Sequence, residues 1–327
     1  MRDWLVAADD RTGAFEVAAL FAQVVGPVSV TVGDVPTGSG VVDIGSRTMS
    51  AANAARVAGA IDNSPATWTA HKIDSTLRGN WVAELRARQR ATGRRVVVLP
   101  GWPELGRTSV GGVVIVDGVA IGSALEQLNG ADHISDAKEL RLWLDGSSSF
   151  AVCDVPDSAA MHAAASVLAD HDVLIAGPAG PLGAAFACRY PRRTMPRTTI
   201  VVGPVLVVCG SANSVAREQV RRLQLARPDV GVCATAIPDG DLHTAAVAAL
   251  ASQARTAIAE LQPRTIVILG GDTAAALLGS SARIVEGFAA PGMPLIRAEE
   301  NGPLIITKAG GFGGPDALVG LVGGENG

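Results

Sequence analysis

Lysine is nearly missing from this 327-residue chain: of 27 basic residues only Lys72, Lys138 and Lys308 are lysines. An ammonium is a compact point charge and a guanidinium a planar fork, so each lysine marks a candidate position for the former. No lysine follows a glycine, which excludes the phosphate loop G-x-x-x-x-G-K-[ST], and no G-x-G-x-x-G follows the first apolar run, which removes the dinucleotide fingerprint. The four cysteines, Cys153, Cys188, Cys209 and Cys233, have no C-x-x-C spacing, and the five histidines form no H-x-x-x-H pair. Neither a disulfide framework nor a structural zinc site is indicated. No apolar run reaches the roughly 18 residues a membrane span needs. The short run Trp4–Ala8 stops at Asp9 and Asp10, before it could form the apolar core of a signal peptide. A net charge of -4, with no basic stretch interleaved with aromatics, gives no footprint for nucleic acid. The expectation is a cytoplasmic protein with a small-molecule partner.

Hydrophobic residues make up 48% of the chain, enough to bury a large core, and the length suits two domains better than one. The first 190 or so residues alternate short β-branched runs with alanine-rich helical stretches, the pattern of a largely parallel sheet covered by helices. Strands are expected at Trp4–Ala8, Val28–Val32, Val41–Ile44, Thr67–Ile73, Val96–Leu99, Phe150–Cys153 and Val173–Ala176. Helices are expected at Ala14–Val25, Ala51–Ile61, Trp81–Ala91 and Ser158–Ala169. Asp117-Gly118 between Val113–Val116 and Val119–Ile121 signals a tight hairpin. Around Tyr190–Thr199 the chain turns rich in Pro and Arg, which suggests a linker between domains 1–192 and 199–327. Beyond it the alternation restarts, with strands at Val205–Cys209, Gly231–Ala234, Thr265–Leu269 and Leu304–Thr307 and helices at Val215–Leu225, Leu242–Leu261 and Pro315–Val322. The fold class expected is α/β, in two domains, each a largely parallel sheet covered by helices.

Ligands of open α/β sheets bind outside the carboxyl ends of the strands, so polar residues just after a strand come first. In the N-terminal half these positions are crowded with charge. Asp9-Asp10 follows the first strand, where a carboxylate can hold a hydroxyl, act as a base, bind a metal or simply cap the next helix. Arg47 follows Asp43-Ile44-Gly45-Ser46 and can clamp a carboxylate or make a surface ion pair. Lys72-Ile73-Asp74-Ser75-Thr76-Leu77-Arg78-Gly79-Asn80 packs several anion- or hydroxyl-binding residues into one strand-to-helix turn. A single N-cap would explain Ser75 or Thr76, but not Lys72, Asp74 and Arg78 beside them. Pro100–Arg107 is a weaker case, a rigid turn or a substrate wall.

In the C-terminal half the signal changes to glycine. Gly210–Ser214, Gly270–Thr273 and Lys308–Gly314 each follow an expected strand. Small residues there let phosphate oxygens reach backbone N–H groups at a helix N-terminus. Lys72 falls in the charged half and Lys308 in a glycine turn.

These segments, in this order, resemble the four-carbon acid sugar kinase family, which includes threonate, erythronate and 3-oxo-tetronate kinases. Lys72–Asn80, with Glu84 beyond it, is the most specific match and Lys308–Gly313 the second; Ala8–Ala14, Arg47, Pro100–Arg107, Val116–Gly118, Gly210–Ser214 with Arg217 and Gln219, and Gly270–Thr273 also fit. The resemblance implies an N-terminal acid-sugar domain, a C-terminal ATP domain, and transfer of the γ-phosphoryl group to a hydroxyl of the acid. It implies Asp9, Asp10, Arg47, Lys72, Asp74 and Arg78 around the acid; for the chemistry, Arg47 and Arg78 are expected to grip the acid's carboxylate, Asp10 or Asp74 to accept the proton of the attacking hydroxyl, and Lys72 to steer the phosphoryl group. Ser211, Ser214, Gly270, Gly271, Asp272, Thr273, Lys308 and Gly310 would hold the nucleotide, and Mg²⁺ would bridge its phosphates with Asp272 in reach. Partners expected are ATP and a small sugar acid, with room for a homodimer, and neither nucleic acid nor membrane. Arg11 stands where an apolar residue is usual, Ala212-Asn213 replaces a Cys-Ser type pair, and the chain is short between Gly122 and Phe150. Two alternatives follow: a kinase for another small hydroxy acid, and a nucleotide-regulated sugar-acid binding protein without turnover.

Overall fold

The computed structural model describes residues 2–63, 65–190, 201, 203–235, 243–297 and 302–323. The chain divides into two compact units, residues 1–25 with 29–194 and residues 26–28 with 195–327.

The first unit contains β1 (Arg2–Ala8), α1 (Arg11–Val25), β2 (Val28–Val32), β3 (Gly40–Asp43), α2 (Ala51–Ile61), β4 (Ala66–Lys72), α3 (Trp81–Thr92) and β5 (Arg95–Val98). A meander of β6 (Arg107–Val110), β7 (Val113–Val116) and β8 (Val119–Ser123) follows. Then come α4 (Ala124–Gln127), β9 (Asp132–Ile134), α5 (Ala137–Leu144), β10 (Phe150–Cys153), α6 (Ser158–Leu168), β11 (Val173–Gly177) and α7 (Ala179–Arg189). The main sheet runs β2-β3-β1-β4-β11-β5-β10-β9 with every pairing parallel. Helices cover both faces of such a sheet, so its central strands bury every residue and read as unbroken apolar runs; β11 is buried throughout. Under α1 and α7 lies an aromatic cluster in which Phe21 stacks on Phe186 at 3.7 Å, with Trp4 and Trp68 edge-on.

The expected hairpin is present, with Asp117 and Gly118 both at positive φ between β7 and β8. Helix α7 was not expected, because Gly177-Pro178-Ala179-Gly180-Pro181 reads as a turn. Proline is tolerated in a helix's first turn, where the missing N–H is unused, and Gly180 lies so close to the Trp102 indole that a Cβ there would stand 2.3 Å from Cδ1. The expected linker lies, apart from Tyr190, outside the described residues.

The second unit contains β12 (Val205–Cys209), α8 (Ser214–Ala226), β13 (Gly231–Ala234), α9 (His243–Leu261), β14 (Thr265–Leu269), α10 (Gly271–Leu278), β15 (Arg283–Ala290), β16 (Met293–Arg297), β17 (Leu304–Lys308) and α11 (Ala317–Val322). Strands β13-β12-β14-β17 pair in parallel. Strands β16 and β15 extend the row antiparallel, a pair that the sequence did not reveal. Its core joins Val207, Val267 and Ile306 of the central strands to Leu223 of α8 and Leu318 of α11.

Candidate active site

In the first unit β3, β1 and β4 are neighbours in the sheet, so the polar segments after them meet at its carboxyl edge. Backbone bonds carry the ladder past the strands: Arg47 N–H donates to the Asp9 carbonyl at 3.2 Å and Asp9 N–H to the Lys72 carbonyl at 3.3 Å. Three of the expected residues come together around a fourth, Arg47. Its Nε and Nη2 donate to the two oxygens of Asp9 at 2.9 and 2.8 Å, Nη2 also reaches Asp10 Oδ1 at 3.0 Å, and Asp74 Oδ1 lies 3.6 Å away. The fork therefore closes on Asp9 rather than opening outward. Asp9 is 1% exposed, and burial pushes its carboxyl up to about 6 against the pull of Arg47.

Asp74 sits in the opposite condition. One oxygen accepts from Thr76 N–H, Thr76 Oγ, Arg78 N–H and Arg78 Nε, and the other from Arg78 Nη2 at 2.7 Å. Burial alone would raise its pKa, but the Arg78 and Thr76 hydrogen bonds outweigh it and hold the carboxyl well below the usual range. Asp10 is half committed: Oδ1 accepts from Arg47 and from the Gly13 N–H at 2.9 Å, capping α1, while no hydrogen bond within the described residues reaches Oδ2. The capping and chemical readings of Asp10 are thus compatible, one for each oxygen.

Lys72 is buried, donates to the Ile73 carbonyl at 2.9 Å and lies 3.8 Å from Glu16 Oε2 on α1. Gly13 makes room for this: a Cβ there would stand 2.7 Å from Asp10 Oδ1 and 3.0 Å from Lys72 Nζ. Arg78 keeps its side chain 68% exposed, leaving Nη1 uncommitted. Arg11, which looked like an intruder at the site, turns away to Asp43 at 2.6 Å, both side chains being buried.

Several contributors stand in the segments singled out from the sequence, where no individual role was assigned to them. Arg107 opens β6, donates Nε to Ser75 Oγ at 3.0 Å and thereby joins the Asp74–Gly79 turn. Asn80 donates to the carbonyls of Ser46 and Met49, both at 2.9 Å, fixing the turn that carries Arg47. Behind it, His71 and Glu84, both fully buried, bond at 2.8 Å. Arg88 Nη1 faces His71 Nδ1 at 3.5 Å, and a guanidinium can only donate, so Nδ1 accepts and Nε2 carries the proton toward Glu84. The signal available for Glu16 was its spacing: residues 10, 13 and 16 fall three apart along α1.

In the second unit β12, β14 and β17 are adjacent, so the three glycine turns after them converge. Gly270 has φ 108 and caps α10, a conformation that disfavours any side chain. A Cβ on Gly310 would stand 2.2 Å from Ser211 Oγ, and one on Gly311 3.0 Å from Asn213 Nδ2. Ser211, Gly270, Gly310 and the buried Thr273 are thus one neighbourhood; Ser214 opens α8, capped by Asn213, and Gly271 and the exposed Asp272 open α10. Lys308 is 1% exposed and donates to the Ala309 and Gly310 carbonyls at 2.9 and 3.3 Å; burial pushes its ammonium down to about 8. Gln219, fully buried on α8, donates Nε2 to the carbonyls of Phe312, Gly313 and Gly314 and shapes the last turn.

No group of three or more His, Cys, Asp and Glu side chains able to cage a metal occurs among the described residues. A Mg²⁺ delivered on nucleotide phosphates needs only one or two carboxylates, and Asp272 at the mouth of α10 fits that demand.

A charged carboxylate–arginine knot on one α/β unit and converging glycine turns on another define a two-unit α/β protein equipped for anionic small molecules. Residues 4–127 match the family model of a sugar-binding N-terminal domain, and residues 234–318 that of a nucleotide-binding C-terminal domain. The chain belongs to the four-carbon acid sugar kinase family. It is 26% identical to a D-threonate kinase of Bordetella bronchiseptica, over 96% of this chain and 95% of that one. A D-threonate kinase of Cupriavidus necator is 35% identical over 125 residues, 35% of this chain and 30% of that enzyme, so the matched part spans under a third of the relative. Two solved structures share the fold at 20% identity. One is a Salmonella typhimurium LT2 protein described provisionally as a tRNA synthase (TM-score 0.78, covering 97% of this chain and 98% of that one). The other is a Haemophilus influenzae protein (TM-score 0.67, 98% and 99%).

Proposed function

We propose that this chain is an ATP-dependent kinase that phosphorylates a hydroxyl of a small sugar acid, a four-carbon tetronate being the substrate class that the family points to. The acid belongs to residues 1–192 and the nucleotide to residues 199–327. The observation that carries the reading is the division of labour among the carboxylates at Arg47: Asp9 and Asp74 are consumed by arginines, and Asp10 keeps one oxygen free.

Phosphoryl transfer asks for alignment and charge neutralisation rather than covalent chemistry. Asp10 Oδ2 accepts the proton of the attacking hydroxyl as its oxygen bonds to the γ-phosphorus and ADP leaves. Lys72 spends one N–H on Ile73 and has two left to steer the transferred phosphoryl group. The acid's carboxylate faces the uncommitted nitrogens, Nη1 of Arg78 and Nη2 of Arg107. Arg47 contributes by fixing Asp9 and Asp10, and Asp74 by holding Arg78 and Thr76. The phosphates lie in the glycine turns with Ser211, Ser214, Gly270, Gly271, Thr273 and Gly310 around them and Lys308 supplying charge. Asp272 would hold Mg²⁺, directly or through water, and the ion would supply charge neutralisation for the phosphates.

The test is ADP release, coupled to a colour reaction, across a panel of tetronates and related hydroxy acids. ADP formed only when one acid is present supports the reading. Melting-temperature shifts with acid or ATP and no ADP would replace it with a binding protein that lacks turnover.

A further inference from the structure

We infer that Glu16 is a specificity residue of the acid-sugar site: its carboxylate binds a second hydroxyl of the acid, beside the one that is phosphorylated. The inference rests on the sugar-acid reading above and adds a demand to it, that the ligand carry two hydroxyls at its end remote from the carboxylate.

The carboxylates at the site differ in their partners. Asp9 receives two bonds from one arginine, and Asp74 is filled by Thr76 and Arg78. Asp10 has one oxygen filled by Arg47 and Gly13. Glu16 differs from all of them, because no hydrogen bond within the described residues reaches either of its oxygens, although its side chain is only 21% exposed. Among the described residues its one ion-pair partner within 4 Å is Lys72 Nζ at 3.8 Å, beyond hydrogen-bond distance. Burial pushes its carboxyl upward while Lys72 pulls it down, with Asp10, Arg107 and Asp74 also acting on its charge. A largely desolvated carboxylate with no donor is costly to keep. A ligand that brings an O–H donor removes that cost.

Charge then fixes which end of the ligand arrives there. The acid's own carboxylate would be repelled by Asp10, which caps α1, and by Glu16 within it, and is attracted to Arg78 and Arg107. Hydroxyls therefore face α1. Asp10 caps that helix and Glu16 stands in its second turn, with Gly13 between them in the chain and Lys72 Nζ close to both Gly13 and Glu16. Two acceptors flanking one ammonium suit two hydroxyls flanking the oxygen that meets the phosphoryl group better than they suit one.

The experiment compares Glu16→Gln with the unchanged protein. The ligands are the tetronate giving most ADP and its analogues that each lack one hydroxyl. Hydrogen bonds to a charged partner contribute about 1.5–3 kcal/mol. Removing the held hydroxyl should therefore lower kcat/KM roughly tenfold to hundredfold in the unchanged protein. In E16Q the same removal should cost under about threefold, with KM for ATP unmoved. Equal losses in both proteins for every analogue would overturn the inference, as would E16Q matching the unchanged protein on the intact acid. Should the unchanged protein turn over no acid, the kinase reading fails. Calorimetric binding of the same acids to both proteins then decides the Glu16 inference by the same comparison. Glu16→Asp, which keeps the charge and withdraws it by one carbon, takes over if E16Q does not fold.

Discussion

Arg78 closes back onto Asp74 through two nearly parallel bonds, Nε to Oδ2 at 2.9 Å and Nη2 to Oδ1 at 2.7 Å, and so removes a carboxylate from the list of bases. A carboxyl held far below its ordinary pKa and filled with donors has little tendency to take a further proton. The two aspartates at this edge should therefore fail differently on mutation. Asp10→Asn removes the acceptor and should lower kcat by roughly 10²–10⁴-fold with ATP affinity preserved. Asp74→Asn loosens Arg78 and Thr76 and should act mainly through the acid's KM. Steady-state kinetics with each substrate varied in turn separates the two, and a kcat loss in D74N equal to that in D10N would return Asp74 to the reacting atoms.

Gly13 explains why a helix so rich in alanine carries a glycine in its first turn. A methyl there would stand 2.7 Å from Asp10 Oδ1 and 3.0 Å from Lys72 Nζ, and at least one must move. Gly13→Ala gains helix propensity of about 1 kcal/mol, so the fold should be as stable as before or nearly so. Turnover should fall by at least tenfold, because displacements near 1 Å at a reacting site cost that much or more. Thermal melting and ADP release, measured on one preparation, would show stability and activity moving apart; parallel movement would mean that the helix, not the site, had been damaged.

What the sequence made legible follows the physics of parallel sheets. Strands β12 and β14 are buried at every residue, so they stand out as uninterrupted apolar runs ended by glycine. The same rule located the clusters at Asp9, Arg47 and Lys72, because polar residues just after such strands have a fixed place. Elements whose signals conflict were hidden. Helix α7 begins in a Gly-Pro-Ala-Gly-Pro run, and the β15–β16 pair carries bulges between Val285 and Gly287 and between Phe288 and Ala290 that break its alternation. The family resemblance also placed Arg47 and Asp74 together without telling which oxygens would be spent. Glu16 was legible only through its spacing from Asp10 and Gly13, which did not show that the fold would bring it to Lys72.

Arg11 illustrates how a residue suspected of altering substrate choice becomes a fold element. It pairs with Asp43 at 2.6 Å, and Asp43 also accepts from the Gly45 N–H at 3.0 Å, steadying the turn before Ser46 and Arg47. Burial pushes the Asp43 carboxyl up, and Arg11 opposes that shift. Arg11→Leu strands a buried carboxylate and should cost about 3–5 kcal/mol, read as a lower denaturation midpoint. Adding Asp43→Asn should recover part of that loss. The ranking of acids by kcat/KM should be the same in the folded double variant as in the unchanged protein; a reordered ranking would place Arg11 in substrate choice after all.

Lys308 gives the nucleotide half its own pH signature. Burial holds its ammonium near 8 in the absence of ligand, whereas bound phosphate stabilises the charged form and must raise that value. Binding is therefore strongest where Lys308 is already protonated, below pH of about 8, and weakens as pH rises through that value until the raised pKa of the complex is reached. The stability of the free protein runs the other way: the unfolded chain keeps the proton up to the ordinary lysine range, so stability increases from pH of about 8 toward about 10. ATP affinity by calorimetry from pH 7 to 9.5 should fall with a slope approaching one proton. In Lys308→Met that slope should vanish while the acid's binding is unchanged. A slope that persists in K308M would assign the titration to another group and leave Lys308 with a packing role beneath the glycine turn.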